Sequence, residues 1–125
     1  MYNLERFEER RKHPRFPIEL SLEFEDKDGL PHGAVVCNVS EGGLLIHSVR
    51  DMPVGRELKL RVFFAEEYKF DEFHATARIA WKGYHSDIDW EGYKYALEIV
   101  EISVENRQNL VNLLRGALQY QNRFV

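Results

Sequence analysis

Two short runs of this sequence hold residue types suited to binding a small anionic ligand. The first is Arg10-Arg11-Lys12-His13-Pro14-Arg15. A guanidinium group is planar, permanently charged and donates hydrogen bonds as a fork. It can grip phosphate with two bonds, stack on a base, or address the O6/N7 edge of guanine. Arg11 and Arg15 are four apart, and Pro14 and Pro17 keep the segment out of helix. Several arginines on a tether suit a small phosphorylated purine, although a solvated basic tail is the plainer reading of this run alone. The second run is Asn38-Val39-Ser40-Glu41-Gly42-Gly43. In an extended chain Asn38 and Ser40 point to the same face, offering an amide and a hydroxyl. Gly42 and Gly43 permit a bend or a close backbone approach. The run lacks the Gly-Lys-Ser/Thr ending of a phosphate loop. Taken alone it reads as a polar turn between strands.

Other constellations carry less. His85-Ser86-Asp87-Ile88-Asp89, with His74, has spacing that could share a metal. No second set of paired ligands accompanies it, so a solvated loop is the better reading. His47, on the opposite face of its strand from Leu45, reads as partly exposed rather than catalytic. No signature places a Ser-His-Asp or Cys-His arrangement, and an enzyme is not expected. The single Cys37 cannot form an internal disulfide and fits a reducing cytoplasm. Its valine neighbours predict a buried thiol in a strand.

The elements that must position these groups follow from periodicity. Phe16, Ile18, Leu20, Leu22 and Phe24 alternate with polar residues, predicting a half-buried strand over Phe16–Glu25. Asp26 to Gly29 is a turn. Gly33–Val39 reads as a second strand, broken by Asn38 to Gly43, and Leu44–His47 resumes extension. Asp51 to Gly55 is a loop, and Leu58–Phe64 a fourth strand before a turn at Glu66 and Glu67. Phe73, Ala75, Ala77, Ile79 and Trp81 share one face of a fifth strand. Lys82 to Gly92 reads as a loop, and Tyr93–Ile99 as a sixth strand. The period then becomes helical through Leu110, Val111, Leu113, Leu114, Ala117 and Leu118. Ser103 is the candidate N-cap and Glu105 suits the first turn. Six strands followed by an amphipathic helix predict an all-β fold, a closed six-stranded antiparallel barrel with a C-terminal helix packed against it.

Composition limits the function. At 125 residues the chain is one domain, and 44% hydrophobic content can furnish a core. Residues 1–9 read as an N-terminal arm, anchored at most by Leu4 and Phe7, and residues 10–121 as the domain. No apolar run is long enough to span a bilayer, and the N-terminus has no signal-peptide character. The formal charge is −4, yet five cations stand against two carboxylates between Arg6 and Arg15. An acidic body with one basic arm disfavours wrapping of nucleic-acid polymers. A barrel stacking single-stranded nucleic acid on Phe63, Tyr68, Tyr84 and Tyr93 would need a basic groove, which the sequence does not offer. A ligand-independent interaction module using the helix from Ser103 to Gln121 is a further alternative, but its apolar stripe reads as docked on the barrel.

The two runs together are more specific than either. The arm matches R-x-x-x-R as Arg11 to Arg15. The turn matches D/N-x-S/A-x-x-G as Asn38, Ser40 and Gly43. The first precedes a strand and the second falls about two strands later. From about Glu9 to Tyr120 the sequence resembles the PilZ domain family of bacterial cyclic di-GMP receptors. The loop at Pro53-Val54-Gly55 and the strand of Trp81 look like the family too. The resemblance implies a six-stranded barrel with a C-terminal helix, whose arginine arm closes over the nucleotide on the barrel surface. Arg11 and Arg15 would then contact guanine and phosphate, Asn38 and Ser40 would hydrogen-bond the ligand, and Gly43 would shape the turn. Arg10 matches members that bind an intercalated ligand dimer. The implied ligand is cyclic di-GMP, with no metal or other cofactor. Output is expected through an unidentified downstream protein, through a homodimer, or through the arm itself.

Overall fold

The structure, a computed structural model, describes residues 16–66 and 69–123; for residues 16–19, 66 and 117–123 the description is of the backbone. Its strands are β1 (Phe16–Glu25), β2 (Pro31–Ser40), β3 (Gly43–Ser48), β4 (Glu57–Glu66), β5 (Lys69–Ser86) and β6 (Glu91–Glu101), followed by helix α1 (Val104–Arg123). The strands close antiparallel in the order β1-β2-β3-β6-β5-β4. Closure gives every strand a partner on both sides over part of its length. The expected barrel and C-terminal helix are therefore present.

Alternation fills the barrel. Leu22, Phe24, Val36, Ile46, Leu60 and Phe73 are among the buried residues of one continuous core. Leu110, Leu113 and Leu114 of α1 join the same core. The helix starts where its cap predicts: the N–H of Asn106 donates to Ser103 Oγ at 3.1 Å. Its polar face then serves β5. Asn106 Oδ1 accepts from the N–H of His74 at 2.8 Å, and Asn109 Nδ2 donates to the carbonyl of Glu72 at 3.1 Å. The pairing of β5 with β6 ends at Thr76 and Glu101, so these backbone groups lie beyond the ladder. Two asparagines thus satisfy a strand segment that β6 does not reach.

Three boundaries differ from expectation. β2 starts at Pro31 and runs through Asn38 to Ser40, where a break was predicted, so only Glu41 and Gly42 make the turn. Residues Lys82 to Gly92 are not a loop. β5 continues to Ser86 and pairs with β6 from Glu91, leaving a turn at residues 87–90. Cys37 is half-buried rather than buried, because the β2–β3 register shifts between Val36 and Asn38 and the cysteine occupies the bulge.

The loop between β3 and β4 is held from inside. Fully buried Tyr95 donates its hydroxyl to the carbonyl of Arg50 at 2.7 Å and accepts from the N–H of Met52 at 2.8 Å. Burial raises its phenol above the ordinary value, so it remains a donor at neutral pH. Gly55, at φ +93, lets the loop turn so that its N–H reaches the carbonyl of Ile79 at 2.8 Å. Tyr95→Phe removes a donor and an acceptor from buried partners. It is expected to lower unfolding free energy by about 2 kcal/mol in a denaturant titration. A variant as stable as the parent would show that the phenol does not hold this loop.

Candidate functional site

The site is built from bulges. Without the irregularity at Cys37, Val36 and Val39 would face opposite sides of the sheet. With it, both are fully buried, and Asn38 between them turns outward. A second register shift lies between Ile79 and Trp81. Ile79 stands opposite Leu97, and both point into the core. Trp81 stands opposite Ala96 on the outer face, so it does not share the face of Ile79 as simple alternation predicts. The bulge at Ala80 reverses it.

The consequence is a continuous outward row. Asn38 pairs with Leu45, Leu45 with Ala96, and Ala96 with Trp81. Four strands at about 4.8 Å spacing make a floor about 14 Å wide. Its ends are polar and aromatic, and its centre, Leu45 and Ala96, is apolar and buried. Trp81 leans along its strand: a Cβ on Gly83 would lie 2.6 Å from the indole ring. The glycine is the space that lets the ring lie flat.

A second row flanks the first. Ser40 stands opposite Gly43, Gly43 opposite Glu98, and Glu98 opposite Arg78. Ser40 is buried, and its Oγ accepts from the N–H of Gly42 at 3.3 Å and donates to the carbonyl of Gly43 at 3.4 Å. The turn is also pinned to β6, because the N–H of Ile99 donates to the carbonyl of Gly42 at 2.9 Å. Asn38 is half-buried. Asn38, Ser40 and Gly43 are thus gathered at one end of the row, as their spacing predicts. Arg10, Arg11 and Arg15, together with arm residues 1–9 and Tyr68, lie outside the described residues.

Sequence reasoning left Leu45, Ala96, Arg78 and Glu98 out of the site. Cross-strand register alone joins Leu45 and Ala96 to Asn38, and Glu98 and Arg78 to Ser40 and Gly43. Sequence reasoning also passed over Trp90, beside the row. Trp90 stacks on His85 at 4.5 Å and on His47 at 4.8 Å between centroids. His85 Nε2 lies 2.6 Å from Asp87 Oδ2. The N–H groups of Trp90 and Asp89, together with His85, hold the Asp87 carboxyl below the usual aspartate range despite some desolvation. This segment organises a turn. Among the described residues no cluster of three or more His, Cys, Asp or Glu could hold a metal ion.

The PilZ domain family matches residues 9–116 of this chain. This chain belongs to the PilZ domain family. Solved structures share the fold. The PilZ domain with c-di-GMP of YcgR from Escherichia coli superposes with a TM-score of 0.75 at 12% identity, over 91% of this chain and 95% of that one. The MrkH–c-di-GMP complex of K. pneumonia gives a TM-score of 0.78 at 14% identity, over 93% of this chain and 56% of that one. The inhibitor of motility MotI/DgrA of Bacillus subtilis gives 0.71 at 22% identity, over 91% of this chain and 52% of that one. This PilZ domain thus spans about half the length of MotI and MrkH. A comparison with curated proteins gives no match. Among the described residues no helix is long and apolar enough to cross a membrane.

Proposed function

We propose that this PilZ domain is a non-catalytic receptor for cyclic di-GMP. The observation that carries the reading is the Asn38–Ser40–Gly43 constellation, placed at the end of an outward row floored by Leu45 and Ala96 and closed by Trp81. That arrangement suits a flat, polar-edged ligand. The YcgR and MrkH structures that share the fold hold c-di-GMP.

In this reading Asn38 hydrogen-bonds the ligand from the outward side of β2. Both bonds of Ser40 Oγ are at the long end of the hydrogen-bond range, so the hydroxyl can exchange them for a ligand oxygen. Gly43 keeps the turn small. Arg11 and Arg15 supply fixed charge and forked donors for phosphate and guanine. Arg10 adds a third guanidinium and favours two intercalated ligands over one. Residues 1–9 precede these arginines as an arm, and residues 10–121 form the receptor domain, working in a reducing cytoplasm.

Closure of an arm costs conformational entropy, so part of the binding energy is spent on ordering it. In return the closed arm differs from the open one, and a downstream protein or a second copy of the chain can read the difference. No bond is made or broken in this cycle.

Melting in the presence of ligand tests the reading. A ligand that binds only the folded state at 100 times its Kd stabilises by about 2.7 kcal/mol, a shift of several degrees. Cyclic di-GMP is expected to produce it, and a single-stranded oligonucleotide at moderate salt is not. A shift with the oligonucleotide alone would favour the nucleic-acid barrel instead.

A further inference from the structure

Beside the Asn38–Trp81 row, on the side away from Ser40, runs a third outward row. Val35 stands opposite His47, His47 opposite Lys94, and Lys94 opposite Gly83. Lys94 is two residues from Ala96, so its side chain leaves the barrel on the same face as the row's floor. The Trp81 ring lies over Gly83, directly across the ladder from Lys94. His47 flanks the lysine on the other side.

Two cations project from this face, and one is engaged. Arg78 faces Glu98 at 3.8 Å. Lys82, opposite Tyr95 in the ladder, projects to the other side, where it is bonded to Asp51 and lies over the Tyr93 ring at 4.8 Å. Lys94 is half-buried, and among the described residues it has no ion-pair partner. An ammonium with no counter-charge beside it is open to pairing with an arriving anion.

The geometry points to Lys94 as a further ligand-binding residue, the fixed cation that holds one phosphate of a guanine dinucleotide on the Trp81 side of the row. The inference rests on the receptor reading above. It divides the labour of charge: the arginines come from a segment that precedes the barrel, whereas Lys94 is part of the barrel wall. The phosphate it takes lies beside Ala96 on the β6–β5 half of the floor, two strands from Asn38. With one point of attachment on each half, the ligand's orientation across the row is defined by the barrel wall.

The test compares the parent chain with Lys94→Gln and Lys94→Arg by calorimetric titration with cyclic di-GMP at low and at high potassium chloride. Thermal melting without ligand checks that each variant is folded. Lys94→Gln is expected to bind about tenfold more weakly at low salt, the effect of losing one charge-assisted bond. The gap should narrow at high salt, because screening weakens an electrostatic contact in the parent and not in the glutamine variant. Lys94→Arg, which keeps the charge, should bind within about threefold of the parent. If the parent binds and Lys94→Gln binds equally well, Lys94 is not a ligand residue and the receptor reading stands without it. If Lys94→Gln weakens binding by the same factor at both salt concentrations, its role is packing and the phosphate assignment is wrong. If the parent does not bind, the receptor reading itself has failed and takes the Lys94 assignment with it.

Discussion

Arg11→Ala and Arg15→Ala are each expected to weaken cyclic di-GMP binding by roughly 10- to 100-fold, since one charge-assisted hydrogen bond contributes about 1.5–3 kcal/mol. The barrel itself offers the ligand an amide at Asn38, a hydroxyl at Ser40, an indole at Trp81 and few unpaired cations. The ligand is a dianion, so most of its charge must be met by the arginines. Titration of each variant at constant salt reads the loss directly. The double variant is the sharper case, because it removes both guanidinium groups of the motif while leaving the described barrel untouched. Its melting temperature without ligand should equal that of the parent. A double variant that still binds like the parent would reduce the arm to a solvated tail.

The second large effect concerns stability. Asp26 sits in the turn after β1, with its side chain only 1% exposed. Arg56 Nη1 donates to its two carboxylate oxygens at 2.7 and 2.9 Å, and Arg50 Nε donates at 3.4 Å. Burial works against ionisation here, but the Lys27 N–H, Arg56 and Arg50 outweigh it and hold the carboxyl below the ordinary aspartate value. Asp26→Ala leaves two arginines facing a hole where their counter-charge was. It is expected to cost about 3 kcal/mol of unfolding free energy. The sign of the pH dependence follows. A carboxyl with a depressed folded-state pKa contributes its full stabilisation above the unfolded aspartate pKa of about 3.9 and loses it as pH falls through the folded value. The parent should therefore lose stability progressively below about pH 4, and Asp26→Asn should lose less over that window. Equal acid profiles for the two proteins would show that Asp26 is not a linked group.

What the sequence revealed depended on how local each signal was. Asn38, Ser40 and Gly43 were legible because a two-residue period and a small-residue turn are contained within six positions. The barrel was legible because β1 and β4 each bury alternate residues. The cap at Ser103 was legible because it lies beside its own helix. The outward position of Trp81 was not, since Phe73 to Ile79 sets a period that the bulge at Ala80 interrupts, and nothing in the residues around Ala80 announces it. Residues Lys82 to Ser86 looked like a loop because this end of the β5–β6 ladder is solvated, which erases the apolar alternation that marks a strand. The pairing persists there through backbone hydrogen bonds, the ring of Trp90 against His85, and the turn at Asp87. Asp26 reads as an ordinary turn residue; its partner Arg56 is thirty positions away and is brought to it by closure of the ring. Leu45, Ala96 and Lys94 entered the site through cross-strand register, a relation between strands distant in sequence.

Calorimetric titration of the intact chain with cyclic di-GMP tests the central claim most directly. The account predicts a saturable heat that closes at two ligands per chain, the stoichiometry that Arg10 favours. An absence of heat with ligand in large excess over a well-folded sample would contradict it.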